Sequence, residues 1–375
     1  MSGAARYDIR LTHTSVLVLA GQSAAAVLSK VANSTSQEQS FANLTVALVR
    51  SAPANWPMPL FNKNWSNVTF DINKTVELGV GHITEAASRG ANLVVFPELW
   101  FPGYPKGIDE AWIAQHSDDY YNNSLEVGSE HWKRLLTAAK DSHVYVALAF
   151  SEKTAQSIYM GQALISPYGE LLHLRHKLRP SGIERYLWSD GSVDGLKLSL
   201  LLTHLACRHF HPTMTFNMQV QREDVHIAAF PYMPDYNESQ ALYWESVEVN
   251  EAAARTYAVN SGAYTLFASV GYSSIMDGTG FTVAKIEASV PFDQTPILYA
   301  SINTTAFSDA SYDVNSEQSW AALEQMETGF PYYVPKVPGK FFDQKTIVIE
   351  DLVAWGDAYI KSNGSTSEPM PGSTS

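Results

Sequence analysis

The chain has 375 residues, of which 45% are hydrophobic and 17% are charged, a composition typical of globular proteins. Its 38 acidic and 25 basic residues give a net charge of −13, which argues against nucleic acid or an anionic membrane surface as a partner. The single cysteine, Cys207, excludes an internal disulfide and favours the reducing cytoplasm, where a free thiol survives.

The predicted regular structure begins with residues 44–52, a strand-like run of branched apolar side chains. From Ile72 onward, apolar residues recur every three or four positions, which predicts a helix with Asp71 as its cap and Gly90 at its end. The apolar run 92–96 has the length and continuity of a buried parallel strand. These three elements make one β-α-β unit.

The alternation of strands and helices continues along the chain. A hairpin is predicted around Gly169, and Lys177 closes its second strand. Five further elements are predicted: a helix over 129–141, a strand over 144–150, a strand over 225–231, a helix over 241–262 and a strand over 264–272. This order predicts an α/β fold with mixed sheets.

Both ends of the chain differ from this central pattern. Residues 1–42 are rich in serine and alanine and are predicted to be a poorly ordered extension. Their apolar run is too short and too rich in small residues to span a bilayer. Residues 43–305 form the predicted main domain, and 306–375 a divergent C-terminal extension with a disordered tail.

A carboxylate, an ammonium and a thiol follow strand-like segments in the order Glu98, Lys177, Cys207. Ligands of open α/β sheets bind outside the carboxyl ends of the strands, so these groups could be the base, electrostatic clamp and nucleophile of one site. Each residue also has an ordinary interpretation: two solvated surface charges and a small core side chain. The flanking sequence distinguishes the catalytic interpretation from the ordinary one.

A resemblance to the nitrilase branch of the carbon-nitrogen hydrolase superfamily rests on three segments: VVFPELWFPGYP, HKLRPSGIERYLWSDG and VHIAAFPYMPDY. The chain is most similar to fungal enzymes that hydrolyse arylaliphatic nitriles, over residues 44–305. The resemblance implies an α/β four-layer αββα sandwich. It also implies a catalytic triad of Glu98, Lys177 and Cys207, with Glu184 as a second glutamate that supports the site.

The segment around the cysteine departs from the family pattern. The family reads Asn-Cys-Trp-Glu-His, whereas alignment of this chain without a gap from Pro212 places Ala206 at the nucleophile position. A gap of one residue restores Cys207. Because a slip of one residue turns a side chain to the other face of a strand, a catalytically impaired relative remains an alternative. If the turn adapts, Arg208 and His209 would favour the reactive thiolate.

The activity implied by the resemblance is hydrolysis of a small-molecule nitrile to a carboxylic acid and ammonia, through a thioimidate and a thioester on the cysteine. A cyanide hydratase or an amidase of the same superfamily is the alternative. No metal or organic cofactor is implied, since His204, His209 and His211 match no structural zinc spacing. The resemblance further implies a homo-oligomer.

Three aromatic residues lie in or beside the matching segments: Trp100, Tyr104 and Trp188. They are candidates for an aromatic wall that binds an arylaliphatic nitrile. The alternative is ordinary core packing, which is favoured for Trp188.

Overall fold

The computed structural model describes residues 41–56, 65, 68–196, 212–233, 242–307, 320–333 and 344–372. Almost all of the predicted N-terminal extension, and Cys207, lie outside the described residues. Within them the strands are β1 (Leu44–Val49), β2 (Leu93–Val95), β3 (Tyr145–Lys153), β4 (Ile158–Ile165), β5 (Leu171–His176), β6 (Val225–Ala229), β7 (Tyr264–Ala268), β8 (Ser273–Met276), β9 (Thr282–Ile286) and β10 (Ile297–Ile302).

The described strands form two sheets. The larger has the order β10-β1-β2-β3-β4-β5, and the smaller has the order β6-β7-β8-β9. Strands β1, β2 and β3 are parallel, β4 is antiparallel to β3, and β5 is antiparallel to β4. Strand β5 therefore points the same way as β2, and the carboxyl ends of both strands reach the same edge of the larger sheet.

The helices of the described chain are α1 (Ile72–Ser88), α2 (Glu110–Asn122), α3 (Glu130–Ser142), α4 (Pro212–Gln219), α5 (Val247–Ser261), α6 (Trp320–Thr328) and α7 (Ile349–Lys361). None of these seven helices is long and apolar enough to cross a membrane.

The two sheets pack face to face and are covered by helices on their outer sides. In β1, Val46 and Leu48 belong to the core between the sheets, whereas Ala47 and Val49 face the core under α1, α2, α3 and α7. Both faces of the strand are buried, which explains its continuous apolar run. On the other side, Ala254 of α5 packs against the smaller sheet. The predicted four-layer αββα sandwich is confirmed.

Local signals in the sequence explain most element boundaries. The side chain of Asp71 accepts a hydrogen bond from the Lys74 amide at 3.0 Å and caps α1, as predicted. Gly90, beyond the helix, has a φ of +84°. The predicted helix over 241–262 begins later, at Val247, because Ser246 caps it. The predicted strand over 264–272 ends at Ala268, and the remaining residues connect β7 to β8.

Arg50, the residue after β1, is fully buried and joins separate parts of the fold. Its guanidinium donates hydrogen bonds to the carbonyl oxygens of Gly271 and Thr295, both at 2.6 Å. It also donates to the carbonyls of Glu287 at 3.2 Å and Val290 at 2.6 Å. Arg50 thereby ties the larger sheet to the loops that follow β7 and β9.

The C-terminal region is packed on the main domain at the residues that the structure describes. Helix α7 packs against α2, and its Leu352 and Trp355 are buried in the main core. The Trp355 indole donates to the carbonyl of Glu368 at 3.1 Å, and Met370 is only 5% exposed. A few buried apolar side chains therefore hold this largely polar segment on the core.

Residues 344–349, which lead into the first residue of α7 and are here named the C-terminal strap, run beside the turn that follows Trp188. The amide of Lys345 donates to the Asp190 carboxylate at 3.0 Å, and the amide of Asp190 donates to the carbonyl of Lys345 at 2.8 Å. The amide of Ile347 donates to the Ser189 hydroxyl at 2.8 Å. The strap is thus hydrogen-bonded into the main domain.

Candidate active site

Glu98 is placed by the end of β2. The Phe96 amide still donates to the carbonyl of Ala147 at 3.0 Å, which extends the pairing with β3 by one residue. The Glu98 amide then donates to the carbonyl of Phe230, just after β6, at 3.2 Å. Leu99 follows with a φ of +48°, an uncommon value for leucine that turns the chain sharply. Glu98 therefore lies where the carboxyl ends of β2 and β6 meet.

Lys177 directly follows β5, and its amide donates to the carbonyl of Met160 on β4 at 2.8 Å. The Gly191 amide donates to the carbonyl of Lys177 at 3.0 Å and fixes the backbone from the other side. A Cβ on Gly191 would lie 2.8 Å from the Lys177 carbonyl oxygen, so the close approach requires glycine. The larger sheet thus presents Lys177 at the same edge as Glu98.

The Lys177 ammonium lies between two carboxylates. Its Nζ is 3.2 Å from Glu98 Oε1 and 2.9 Å from Glu184 Oε2. The Lys177 side chain is only 5% exposed, and the Glu98 and Glu184 side chains are 11% and 8% exposed. The predicted association of Glu98, Lys177 and Glu184 is therefore observed, in surroundings that screen their charges weakly.

Both carboxylate oxygens of Glu184 accept hydrogen bonds. It lies in the 3-10 turn Gly182–Tyr186, and its Oε2 accepts the Ser181 amide at 2.7 Å and the Ser181 hydroxyl at 3.2 Å. Its Oε1 accepts the Tyr104 hydroxyl at 2.7 Å. Burial alone would raise the pKa of Glu184, but Lys177, Ser181 and Tyr104 outweigh it and lower the pKa. Glu184 is therefore an ionised acceptor.

The three predicted aromatic residues have different positions. Tyr104 lines the space beside Glu98, and burial, followed by the charge of Glu184, raises its phenol pKa so that it remains a donor. Trp100 is 1% exposed and donates to the carbonyl of Ser51 at 2.9 Å. Trp188 is also 1% exposed, and it stacks behind Tyr104 with ring centroids 6.3 Å apart.

The substrate contact of Trp188 stays a prediction, and the sequence itself favours core packing for this residue. Its ring is enclosed, its indole donates to the Ser151 hydroxyl at 3.0 Å, and it is not among the described residues that line the space beside Glu98. Core packing behind Tyr104, the alternative interpretation, describes its position.

Two cavities open beside Glu98, and both are lined by Glu98, Tyr104, Lys106 and Pro231. The first, here named the apolar cavity, is also lined by Pro53, Trp56, Trp100, Tyr232 and Val270. The second, here named the polar cavity, is also lined by Lys177, Ser181, Glu184, Phe230, Met233, Trp244, Glu245 and Asn250. The pair offers one largely hydrocarbon wall and one charged wall.

Lys106 and Glu245 were not among the residues that the sequence indicated. Lys106 Nζ lies 3.3 Å from Glu245 Oε2, and both side chains line the polar cavity. Lys106 directly follows the segment VVFPELWFPGYP, so the sequence indicates that it lies near Glu98. Glu245, by contrast, belongs to the 3-10 turn before α5. A contact over this sequence separation leaves no local pattern.

Cys207 lies in the undescribed stretch between Leu196 and Pro212. The described chain on its N-terminal side is close to Lys177 in sequence and space: Arg175 donates to the carbonyl of Gly195 at 3.2 Å. In the described part of the chain, no three histidine, cysteine or acidic side chains are grouped so that they could hold a metal ion.

The described geometry is suited to proton transfer and to stabilising negative charge. Glu98 is a carboxylate beside a cation, and the Lys177 ammonium is fixed next to an open volume where charge could develop. Glu184 keeps Lys177 in place. Such a set serves addition to an electrophilic carbon once a nucleophile is present.

The family assignment follows from comparison of the sequence. The carbon-nitrogen hydrolase family profile matches residues 45–306, which is more than half of the chain. The chain belongs to the carbon-nitrogen hydrolase family. A nitrilase from Talaromyces marneffei is 33% identical over 217 residues, which are 55% of this chain and 66% of that protein. An arylacetonitrilase from Aspergillus kawachii is 35% identical over 212 residues, 53% of this chain and 63% of that protein.

The matched region thus spans just under two thirds of these relatives. Among solved structures, a carbon-nitrogen hydrolase from Helicobacter pylori G27 is similar with a TM-score of 0.53 at 15% identity, covering 78% of this chain and 100% of that one. A variant of the Nesterenkonia AN1 amidase from the nitrilase superfamily has a TM-score of 0.52 at 14% identity, covering 75% and 96%. At these identities the likeness supports the fold.

Proposed function

We propose that the protein hydrolyses an arylaliphatic nitrile to a carboxylic acid and ammonia, with Cys207 as the nucleophile. The observation that carries this proposal is the buried Lys177 ammonium between Glu98 and Glu184, beside two cavities. The relatives described as nitrilase and arylacetonitrilase support the substrate class. The apolar cavity has Trp56 and Trp100 in its wall, and an aromatic lining is favourable for contact with an aryl group.

In the first step, Glu98 takes the thiol proton of Cys207 and the thiolate adds to the nitrile carbon. One C–N π bond breaks as the C–S bond forms, and the nitrogen receives the proton, which gives a covalent thioimidate. Lys177 stabilises the negative charge that develops on nitrogen. Because a nitrile carbon is a weak electrophile, a strong nucleophile and this charge stabilisation are both required.

Water then completes the reaction in two additions. Glu98 activates the first water, which adds to the thioimidate carbon, and ammonia leaves to give a thioester. A second water releases the carboxylic acid and restores the thiol. The overall balance is one nitrile and two waters to one acid and one ammonia. If the first tetrahedral intermediate expels the thiolate instead, the product is an amide.

Glu184 is a positioning residue in this scheme. Its hydrogen bonds to Ser181, Tyr104 and Lys177 occupy both of its oxygens, and its lowered pKa keeps it charged. It therefore orients the ammonium and leaves proton transfer to Glu98.

The assignment of Cys207 as the nucleophile can be tested chemically. In this chain Cys207 is the sole thiol, so every thiol adduct can be assigned to it.

The test combines product analysis with thiol reactivity. Phenylacetonitrile is incubated with the full chain, and ammonia, acid and amide are quantified. We expect acid and ammonia from the wild type, a fall of about 10²–10⁴-fold in Glu98→Gln because the general base is lost, and no product from Cys207→Ala. Iodoacetamide should label Cys207 faster in the native protein than in urea, and Glu98→Gln should remove that excess.

The matched control is Lys74→Met, which removes an exposed lysine that is paired with Asp71 and lines neither cavity, and it should leave turnover unchanged. Amide as the main product would reassign the protein to hydration rather than hydrolysis. Absence of any product, together with native labelling no faster than in urea, would identify a catalytically impaired relative.

A further inference from the structure

Lys106 occupies a position that the proposed reaction does not use. It lines both the apolar and the polar cavity, and its side chain is only 12% exposed. A lysine loses much hydration when it is buried to this extent, so it normally requires a compensating partner. Glu245, 29% exposed, supplies that partner at 3.3 Å.

The charges around the cavities restrict what Lys106 can bind. With all groups ionised, the carboxylates of Glu98, Glu184 and Glu245 face the ammonium groups of Lys106 and Lys177, which leaves one net negative charge. A substrate with an anionic substituent would add a second negative charge in weakly screened surroundings. A neutral hydrogen-bond acceptor adds none.

The donor capacity of Lys106 also favours a neutral acceptor. An ammonium group has three N–H donors, and Glu245 is its carboxylate partner among the described residues. A carbonyl or ether oxygen can accept from a second N–H while the ion pair stays intact. Because Lys106 lines both cavities, such an oxygen can belong to a substrate whose hydrocarbon part contacts the wall of the apolar cavity.

We propose that Lys106 is a specificity residue that selects nitriles carrying a neutral hydrogen-bond acceptor at the end remote from the reacting carbon. The proposal rests on the proposed nitrile hydrolysis for its substrate class. Glu245 holds the Lys106 ammonium and, by its charge, disfavours anionic substrates.

The experiment uses three phenylacetonitriles with para substituents of similar shape: isopropyl, acetyl and carboxylate. For the wild type we expect kcat/KM to be about tenfold higher for acetyl than for isopropyl, the size of a net charge-assisted hydrogen bond. In Lys106→Met that ratio should fall to about one. Lys74→Met, in which an exposed lysine is lost, should keep the wild-type ratio.

A second variant tests the charge argument. Glu245→Gln retains an oxygen acceptor for Lys106 but removes one negative charge from the polar cavity. The carboxylate substrate should then gain about tenfold relative to the acetyl substrate. An unchanged acetyl-to-isopropyl ratio in Lys106→Met, or a carboxylate substrate that gains nothing in Glu245→Gln, would overturn the proposal.

Equilibrium binding separates this proposal from the reaction itself. Calorimetric titration of the same nitriles into Cys207→Ala, with and without Lys106→Met, measures the selectivity in the absence of turnover. If the wild type hydrolyses no nitrile but Lys106→Met removes an acetyl preference in binding, the proposed reaction fails and the role of Lys106 stands. If nitriles are hydrolysed and binding shows no such preference, only the role of Lys106 fails.

Discussion

His173 shows how a single side chain in the sandwich responds to its surroundings. It lies on β5, and its Nε2 is buried without a hydrogen-bond partner. Burial, and then the positive charge of Arg175, lower the pKa of His173 from 6.5 to about 4. The folded protein therefore keeps this ring neutral at pH values where an unfolded chain would protonate it.

This pKa predicts an acid-sensitive contribution to stability. Because the folded pKa is lower than the unfolded one, the contribution is complete above pH 6.5 and is lost as the pH falls towards 4. The loss is roughly 2 kcal/mol, after allowance for partial exposure. His173→Gln should flatten the dependence of the unfolding free energy on pH in this window, measured by urea unfolding at several pH values.

The control for His173 is His143→Asn. His143 is exposed at the end of α3 with a φ of +54°, which asparagine tolerates well. It controls for the exchange of a histidine for a neutral amide at an exposed position. Equal slopes for His173→Gln and the wild type between pH 4 and 6.5 would contradict the prediction.

Among elements, the C-terminal strap supports the turn that holds Lys177. The strap is bonded to Ser189 and Asp190, and the next residue, Gly191, donates to the carbonyl of Lys177. Arg179 also donates to the Asp190 carboxylate. Gly191 also accepts a hydrogen bond from the Gln344 side chain of the strap at 3.0 Å, so a single residue links the strap to Lys177. We therefore expect loosening of the strap to disturb the position of Lys177.

Ser189→Ala tests this connection. It removes the acceptor of the Ile347 amide, and an unsatisfied buried amide costs about 1–3 kcal/mol. We expect a lower unfolding free energy in urea and faster proteolytic cleavage within residues 344–349. Ser192→Ala, which removes only exposed local hydrogen bonds to Asp194, is the matched control and should change neither. Equal cleavage of both variants would show that Ser189 does not anchor the strap.

Two helices that are not predicted nevertheless have recognisable signals in the sequence. The helix α7 was missed although Ile349, Leu352 and Trp355 recur at helical spacing, because aromatic, proline and glycine residues around them dominated the interpretation. Helix α2 was missed as well, although Asp109 caps it through the Trp112 amide at 2.9 Å. Local sequence therefore contains enough information to predict both helices.

Other features had no local signal. Glu98, Lys177 and Glu184 were predicted because each lies in a characteristic segment. The partnership of Lys106 with Glu245 depends on how the loop after β2 meets the turn before α5, which only the packing of the sheets decides. The geometry of Cys207 lies outside the described residues, so its role remains a prediction.

For the whole molecule, Arg50 connects segments that are more than 200 residues apart in the sequence. Its four carbonyl partners come from the loops after β7 and β9, while Arg50 itself follows β1. Removal of the guanidinium would take a donor from the buried carbonyl of Gly271 and from three part-buried carbonyls. The homo-oligomer implied by the family resemblance remains a prediction at this scale.

Arg50→Met should therefore lower the unfolding free energy by roughly 2–5 kcal/mol, measured by urea unfolding. Arg89→Met is the control. Arg89 has a 61% exposed side chain paired with Glu85 at 3.0 Å, and its loss should cost less than about 1 kcal/mol. A similar loss for both variants would contradict a special role for Arg50.

The pairing of Asp190 with Lys345 joins residues 155 positions apart. At a synthesis rate of about 5–20 residues per second, roughly 10 to 30 s pass between the appearance of these two partners on the ribosome. During that interval the turn beside Lys177 has no strap to pair with. The surroundings of the lysine are therefore completed late in biogenesis, so a nascent chain would acquire its mature site only after most of its sequence has been translated.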